Sequence, residues 1–260
     1  MTTETISVCG GEISYLRQGS GDPLLVLPRD NGHAPDTAFI DRLAEQFTVY
    51  YPWLPGFHGG RPEQWAWLFN VRDLAVVMGQ FCVALGLQRT HMLGLGFGGW
   101  LSAELATMNP GLVDRLALVG PMGVQPASDF ICDQFVIGSE AYARTAFANQ
   151  AAFEAIYTAE PGFEQLESWE TDREMASRLA WKPYMYNPTL PRLLGGVTSR
   201  ALIVWGEADR VVPVECGDLY LAALPNATLE RLPGAGHAVD LEQPDALAST
   251  ITAFLQKPQV

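Results

Sequence analysis

Residues 4 to 18 alternate between apolar and polar side chains around Gly10-Gly11, the pattern of a β-hairpin closed by a glycine turn. Beyond that point the rhythm changes. Short continuous apolar runs follow, "LLVLP" (24 to 28), "FTVYYPWL" (47 to 54), "THMLGLG" (90 to 96), "RLALVGP" (115 to 121) and "ALIVWGE" (201 to 207). Between them lie stretches of helical periodicity such as "NVRDLAVVMGQFCVALGL". Strands buried on both faces and joined by crossover helices produce this order, so the chain reads as α/β with a mainly parallel, doubly wound sheet. From about 125 to 198 the alternation stops, and residues rich in Phe, Tyr, Trp and Glu suggest several helices. Because a strand pattern resumes at Ala201, this stretch reads as a helical cap inserted into a core made of residues 1–124 and 199–260.

Composition narrows the function classes. An apolar share of 48% over 260 residues supports one large core. A net charge of −13 argues against nucleic acid and anionic membranes as partners. Cys9, Cys82, Cys132 and Cys216 form no C-x-x-C pair, which suggests a reduced, cytoplasmic chain. There is no basic and apolar leader at the start, and no apolar run approaches about 18 residues. The four histidines show no metal-ligand spacing, no phosphate-binding G-x-x-x-x-G-K-[ST] loop is present, and no cofactor is expected. A small molecule is the expected partner, with homo-oligomerisation left open.

The candidate chemistry centres on "HMLGLGFGGW", residues 91 to 100. A nucleophile elbow of the G-x-S-x-G kind needs small residues flanking a strained central position, and Gly94, Gly98 and Gly99 hold those places between a strand and a helix. The central position is Gly96. Downstream, "WGEADRVVP" places Asp209 just past a strand end, and "LPGAGHAVDLEQPDAL" places His237 in a loop before the last helix. Elbow, acid and histidine in that order resemble the α/β-hydrolase superfamily, particularly its capped subgroup of meta-cleavage carbon–carbon bond hydrolases. "YYPWLPGFHGG" and "AWKPYMYNPTL" resemble parts of that subgroup's core and cap. The resemblance implies an α/β-hydrolase fold, Asp209 as orienting acid, His237 as base, and position 96 as the nucleophile's place.

That last role is one Gly96 cannot fill. Three origins stay open: relaxation of a decayed site, room made for water or substrate, or deliberate inactivation by substitution. The segment after the first central strand also departs from the family, reading "PRDNGH" where His-Gly precedes an oxyanion donor. Backbone N–H groups of Asp30 and Phe97 are the candidate donors there. Arg29 and Asn31 are candidates for binding a substrate oxygen, with Asp30 or His33 as a second acid or base; an ordinary solvated turn is the alternative. Trp181, Tyr184 and Tyr186 either line an aromatic pocket or hold cap to core. His58 reads as structural, and Ser102 falls about 9 Å along its helix from position 96, too far to substitute. The expectation is a cofactor-independent enzyme using His237 and Asp209 to activate water or abstract a proton from a small oxygen-bearing substrate. The alternative is an inactive pseudo-hydrolase that binds a small molecule or a partner.

Overall fold

The computed structural model describes residues 2–256. Its framework is one eight-stranded sheet: β1 (Thr2–Val8), β2 (Gly11–Gln18), β3 (Pro23–Leu27), β4 (Thr48–Pro52), β5 (Thr90–Leu95), β6 (Val113–Val119), β7 (Arg200–Gly206) and β8 (Ala227–Leu232), in the order β1-β2-β4-β3-β5-β6-β7-β8. β1 pairs with β2, and β2 with β4, antiparallel; the remaining pairs are parallel. This is the doubly wound arrangement expected from the apolar runs. The hairpin turn differs in detail from the expected Gly10-Gly11. Its central residues are Cys9 (φ +50°) and Gly10 (φ +82°), while Gly11 already pairs with Val8. A two-residue turn matching strand twist needs positive φ at both central positions, and that requirement moves the turn one residue back.

Helices cover both faces: α1 (Ala38–Ala44), α2 (Val71–Ala84), α3 (Phe97–Met108), α4 (Gln134–Ile137), α5 (Ser139–Thr145), α6 (Gln150–Tyr157), α7 (Phe163–Ala180), α8 (Leu190–Leu193), α9 (Glu215–Ala223), α10 (Val239–Glu242) and α11 (Pro244–Leu255). Alternation along the strands divides the core in two. Leu25, Leu27, Met92, Leu116, Leu118 and Ile203 join a cluster with α2, α3 and α9. Their neighbours Leu24, Val26, Leu93, Ala117, Val119 and Leu202 join the other, with α1 and α11. Every residue of β5 is buried, so the strand leading to Gly96 is a rigid central element.

Between β6 and β7 the chain runs through α4 to α8. These helices pack on their own aromatic centre, where the Phe153, Tyr157 and Trp169 rings lie within 6.3 Å of one another. They also tie back to the core, Gly123 N–H donating to the Met185 carbonyl and Cys132 N–H to that of Val211. Among the described residues no helix is long and apolar enough to cross a membrane.

Candidate active site

β5 delivers the chain to Gly96, and α3 starts at the next residue. Gly96 has φ +52° and ψ −113°, a conformation that residues with side chains rarely adopt. Its N–H donates to the Val119 carbonyl (2.9 Å), and its carbonyl accepts from Met122 N–H (3.1 Å). A Cβ on Gly98 would collide with the carbonyl oxygens of Leu27 and Pro28, so the loop carrying Arg29 and Asp30 is pressed against this turn.

His237 and Asp209 meet beside it. The ring Nδ1 lies 2.8 Å from Asp209 Oδ2, and Asp209 Oδ1 accepts the N–H groups of Val211 (2.8 Å) and Val212 (2.9 Å). The carboxylate is thus anchored by backbone on one oxygen and orients the imidazole with the other. Both side chains are buried. Among the described residues Nε2 of His237 has no hydrogen-bond partner. It lies 2.7 Å from where a Cβ on Gly96 would stand, and Arg29 Cγ lies 3.1 Å from the same point. Imidazole and arginine stem thus close on the volume that a side chain at residue 96 would enter.

The "PRDNGH" loop splits into different environments. Arg29 is buried and its Nη1 donates to Asp240 Oδ1, a residue of α10. Burial works against its charge, but Asp240 more than offsets that and holds the guanidinium firmly protonated. One face of the guanidinium is thus held in an ion pair with α10, while its Nε has no hydrogen-bond partner among the described residues. Asn31 is half-buried in the turn closed by Gly32 N–H on the Arg29 carbonyl (3.1 Å). His33 is stacked between Tyr51 (3.8 Å between centroids) and Trp53 (4.4 Å), with Nε2 at 2.9 Å from the Pro52 carbonyl. Burial pulls its pKa down to about 4, so the ring is neutral at ordinary pH and packed between the two aromatic rings.

Asp30 is buried at 2% exposure. Its Oδ2 accepts the Tyr142 hydroxyl (2.8 Å) and lies 3.4 Å from Gln134 Nε2. Burial raises its pKa above the usual carboxylate range, against the Tyr142 hydrogen bond, the charge of His237 and its own backbone N–H. Phe97 opens α3, where a first-turn N–H has no intrahelical acceptor; its ring packs on Phe57 and Trp100.

The aromatic candidates separate. Trp181 is 55% exposed and meets Phe135 edge-on, an outer contact between the helices. Tyr184 donates to the Cys132 carbonyl (2.9 Å) and accepts from Gln134 N–H (3.0 Å), which makes it a tie between segments. Tyr186 lines a cavity of ≈ 200 Å³ with Trp100, Glu104, Leu179 and Lys182. Ser102 donates to the Gly98 carbonyl inside α3. His58 contributes its backbone N–H to Asp172 Oδ1 (2.7 Å), while its side chain is exposed.

Asp172 is a residue the sequence reading passed over. It is 1% exposed, its Oδ2 has no hydrogen-bond partner among the described residues, and burial pushes its carboxyl well above the usual range. A signal was available: Asp172 shares the stripe of Trp169, Met175, Ala176 and Leu179 that α7 turns inward. Among the described residues no group of three or more His, Cys, Asp or Glu is placed to hold a metal ion.

Comparison with known proteins places this geometry. A 2-hydroxy-6-oxononadienedioate/2-hydroxy-6-oxononatrienedioate hydrolase from Dechloromonas aromatica (strain RCB) is 28% identical over 186 residues, 66% of this chain. The matched part is 64% of that enzyme, so the chain spans less than two thirds of this relative's length. Among solved structures, a bacterial membrane phospholipase A superposes with a TM-score of 0.81 at 23% identity, covering 98% of this chain and 85% of that one. A meta-cleavage product hydrolase from Pseudomonas fluorescens IP01 gives 0.75 at 19% identity, covering 97% of both chains. Residues 26–250 match the Alpha/beta hydrolase family. With the strand order, the turn at Gly96 and the order of Asp209 and His237 on the page, the chain belongs to the α/β-hydrolase family.

Proposed function

We propose that the protein is a cofactor-independent enzyme in which His237, oriented by Asp209, acts as a general base without a side-chain nucleophile. Position 96 is where a family member would carry that nucleophile, and here it is glycine. The observation carrying the reading is the Nε2 of His237, buried, without a partner, and 2.7 Å from the Cβ position of Gly96. A base so placed abstracts a proton from water or from substrate held above the turn. Residues 125–198 act as the cap over it. The named substrate of the Dechloromonas relative, a 2-hydroxy-6-oxo dienedioate, supports a small oxygen-bearing organic molecule here. Without an acyl-enzyme, ordinary esterase activity is expected to be very low, since removing a triad nucleophile costs a factor of about 10⁶.

One observation favours a second reading. The Arg29 stem and the imidazole crowd the space above Gly96, as in a site that has ceased to turn over and only binds. The two readings separate in a turnover screen of the protein beside His237→Ala, with small esters, lactones, β-diketones and hydroxy-ketones and with products detected by mass. Turnover that vanishes in the variant supports the base. Silence from the unmodified protein, with ligands still raising Tm, selects the binding protein.

A further inference from the structure

The loop that would hold a backbone oxyanion donor in this family carries instead a buried carboxyl backed by a tyrosine. Asp30 follows β3, next to the strand that ends at Gly96, and the contact of Gly98 with Leu27 and Pro28 fixes this loop against the turn. Tyr142 reaches it from α5 and Gln134 from α4, and both go to Oδ2. The Asp30 proton therefore belongs on Oδ1. Arg29, the residue before Asp30, and His237 both close on the position above Gly96, with Arg29 Cγ 3.1 Å and His237 Nε2 2.7 Å from where a Cβ there would stand. We propose that the Asp30 carboxyl is a catalytic hydrogen-bond donor to a substrate oxyanion, with Tyr142 its positioning residue, and that the substrate is a ketone or aldehyde bearing an enolisable carbon.

This assignment rests on His237 being the base. A carboxylic acid kept neutral in an apolar site, beside a tyrosine and facing a separate base, is a known solution for stabilising an enolate. Asp30 has the matching surroundings, 2% exposed with the Tyr142 hydroxyl on its Oδ2, and burial shifts its carboxyl in the protonated direction. In the step, His237 Nε2 removes a proton from the carbon next to the carbonyl. The C–H electron pair becomes the C=C bond, the carbonyl π pair moves onto oxygen, and that oxygen takes the Asp30 proton. Without further unsaturation the imidazolium, stabilised by Asp209, returns a proton to the same carbon as the enol returns its own to Asp30, which is α-proton exchange. Where the substrate carries a β,γ double bond the enol is a dienol, the proton goes to the γ carbon and the C=C moves into conjugation with the carbonyl, an isomerisation that consumes no water, oxidant or cofactor. Arg29 does not compete for the oxyanion because Asp240 holds its charge.

The test uses two probes on the full chain. The first is 4-nitrophenol, whose phenolate mimics an enolate and absorbs apart from the phenol. Added at a pH below the free phenol's pKa, the protein is expected to bind it and raise the phenolate absorbance. Asp30→Leu should weaken phenolate binding by roughly tenfold or more, as loss of a charge-assisted hydrogen bond does. Tyr142→Phe should raise the bound phenol's pKa with less effect on binding of the neutral form, a signature that simple loosening would not give. The second probe is exchange of the α-protons of cyclohexanone in D2O, followed by proton NMR, with folding of each variant checked by circular dichroism. No phenolate binding by the unmodified protein, or binding unchanged in Asp30→Leu and Tyr142→Phe, overturns the donor. Exchange that needs His237 and ignores Asp30 removes the donor and keeps the base. Phenolate binding that needs Asp30, with exchange surviving His237→Ala, keeps the donor and removes the base.

Discussion

Two histidine–aspartate pairs stand at opposite ends of the same sheet. His91 is the second residue of β5 and Asp114 the second of β6, at the amino ends of the parallel strands. Asp209 and His237 follow β7 and β8, at the carboxyl ends, where open α/β sheets place their chemistry. At the amino end Nδ1 of His91 comes within 3.2 Å of Asp114 Oδ2 without an aligned hydrogen bond. Asp114 is also taken by Arg89 at 2.5 Å, and burial lowers the His91 pKa against the attraction of Asp114. At the carboxyl end the distance is 2.8 Å, the second oxygen of the acid is anchored by two N–H groups, and the far nitrogen lies 2.7 Å from where a Cβ on Gly96 would stand. An acid near a histidine is common; the two pairs differ in that Asp209 has one oxygen held by backbone and the other left for the imidazole, whereas Asp114 is shared with an arginine.

The largest test of that contrast is kinetic. On whichever substrate the screen identifies, His237→Ala should lower turnover by about 10²–10⁴, and His91→Ala, measured in the same assay, should leave it within about threefold. Equal losses would erase the distinction between the two ends. The next test concerns protonation. A His33 pKa of about 4 in the fold lies below the free value of about 6.5, so the unfolded chain binds more protons between these limits. The stability this histidine contributes is full above about pH 6.5 and lost as pH falls toward 4, by roughly 2–3 kcal/mol. Urea unfolding of the protein and of His33→Gln at several pH values should show the difference between them shrinking across this window; a constant difference would mean that the ring is not held neutral.

Smaller effects follow at the turn and under α7. A serine at residue 96 would sit at φ +52° with its Cβ against the imidazole, so Gly96→Ser should cost on the order of 1–3 kcal/mol and a few degrees of Tm. Esterase activity should follow only if the ring moves aside, and a raised Tm would show that the site accommodates a side chain. Asp172→Asn keeps an acceptor for His58 N–H and removes a buried acid. The native carboxyl titrates above its unfolded value, so its share of stability is complete below about pH 4 and falls as pH rises. The variant should therefore gain about 1 kcal/mol at neutral pH and nothing in acid. An equal gain at both would point to packing instead.

The sheet was legible because β3, β5, β6 and β7 are buried on both faces and read as unbroken apolar runs. β8 escaped notice: as an edge strand its Thr228, Glu230 and Arg231 are exposed and its apolar residues only half-buried. The pairing of His237 with Asp209 could be expected from motif and order, since each sits at a strand end. Arg29 with Asp240 could not, because 211 residues separate partners that no local pattern connects. Asp30 was visible as a polar residue in an odd place, but Tyr142, which gives it a role, lies in a short helix with no motif of its own.

The turn at Gly96 also bears on how such a protein would be found. Reagents that tag α/β hydrolases across a proteome, fluorophosphonates among them, work by bonding to the oxygen of the nucleophile, and residue 96 offers no atom beyond its Cα. Covalent profiling would pass over this protein in an extract where its relatives light up. A reversible enolate mimic immobilised on a resin is the reagent with a chance of retrieving it.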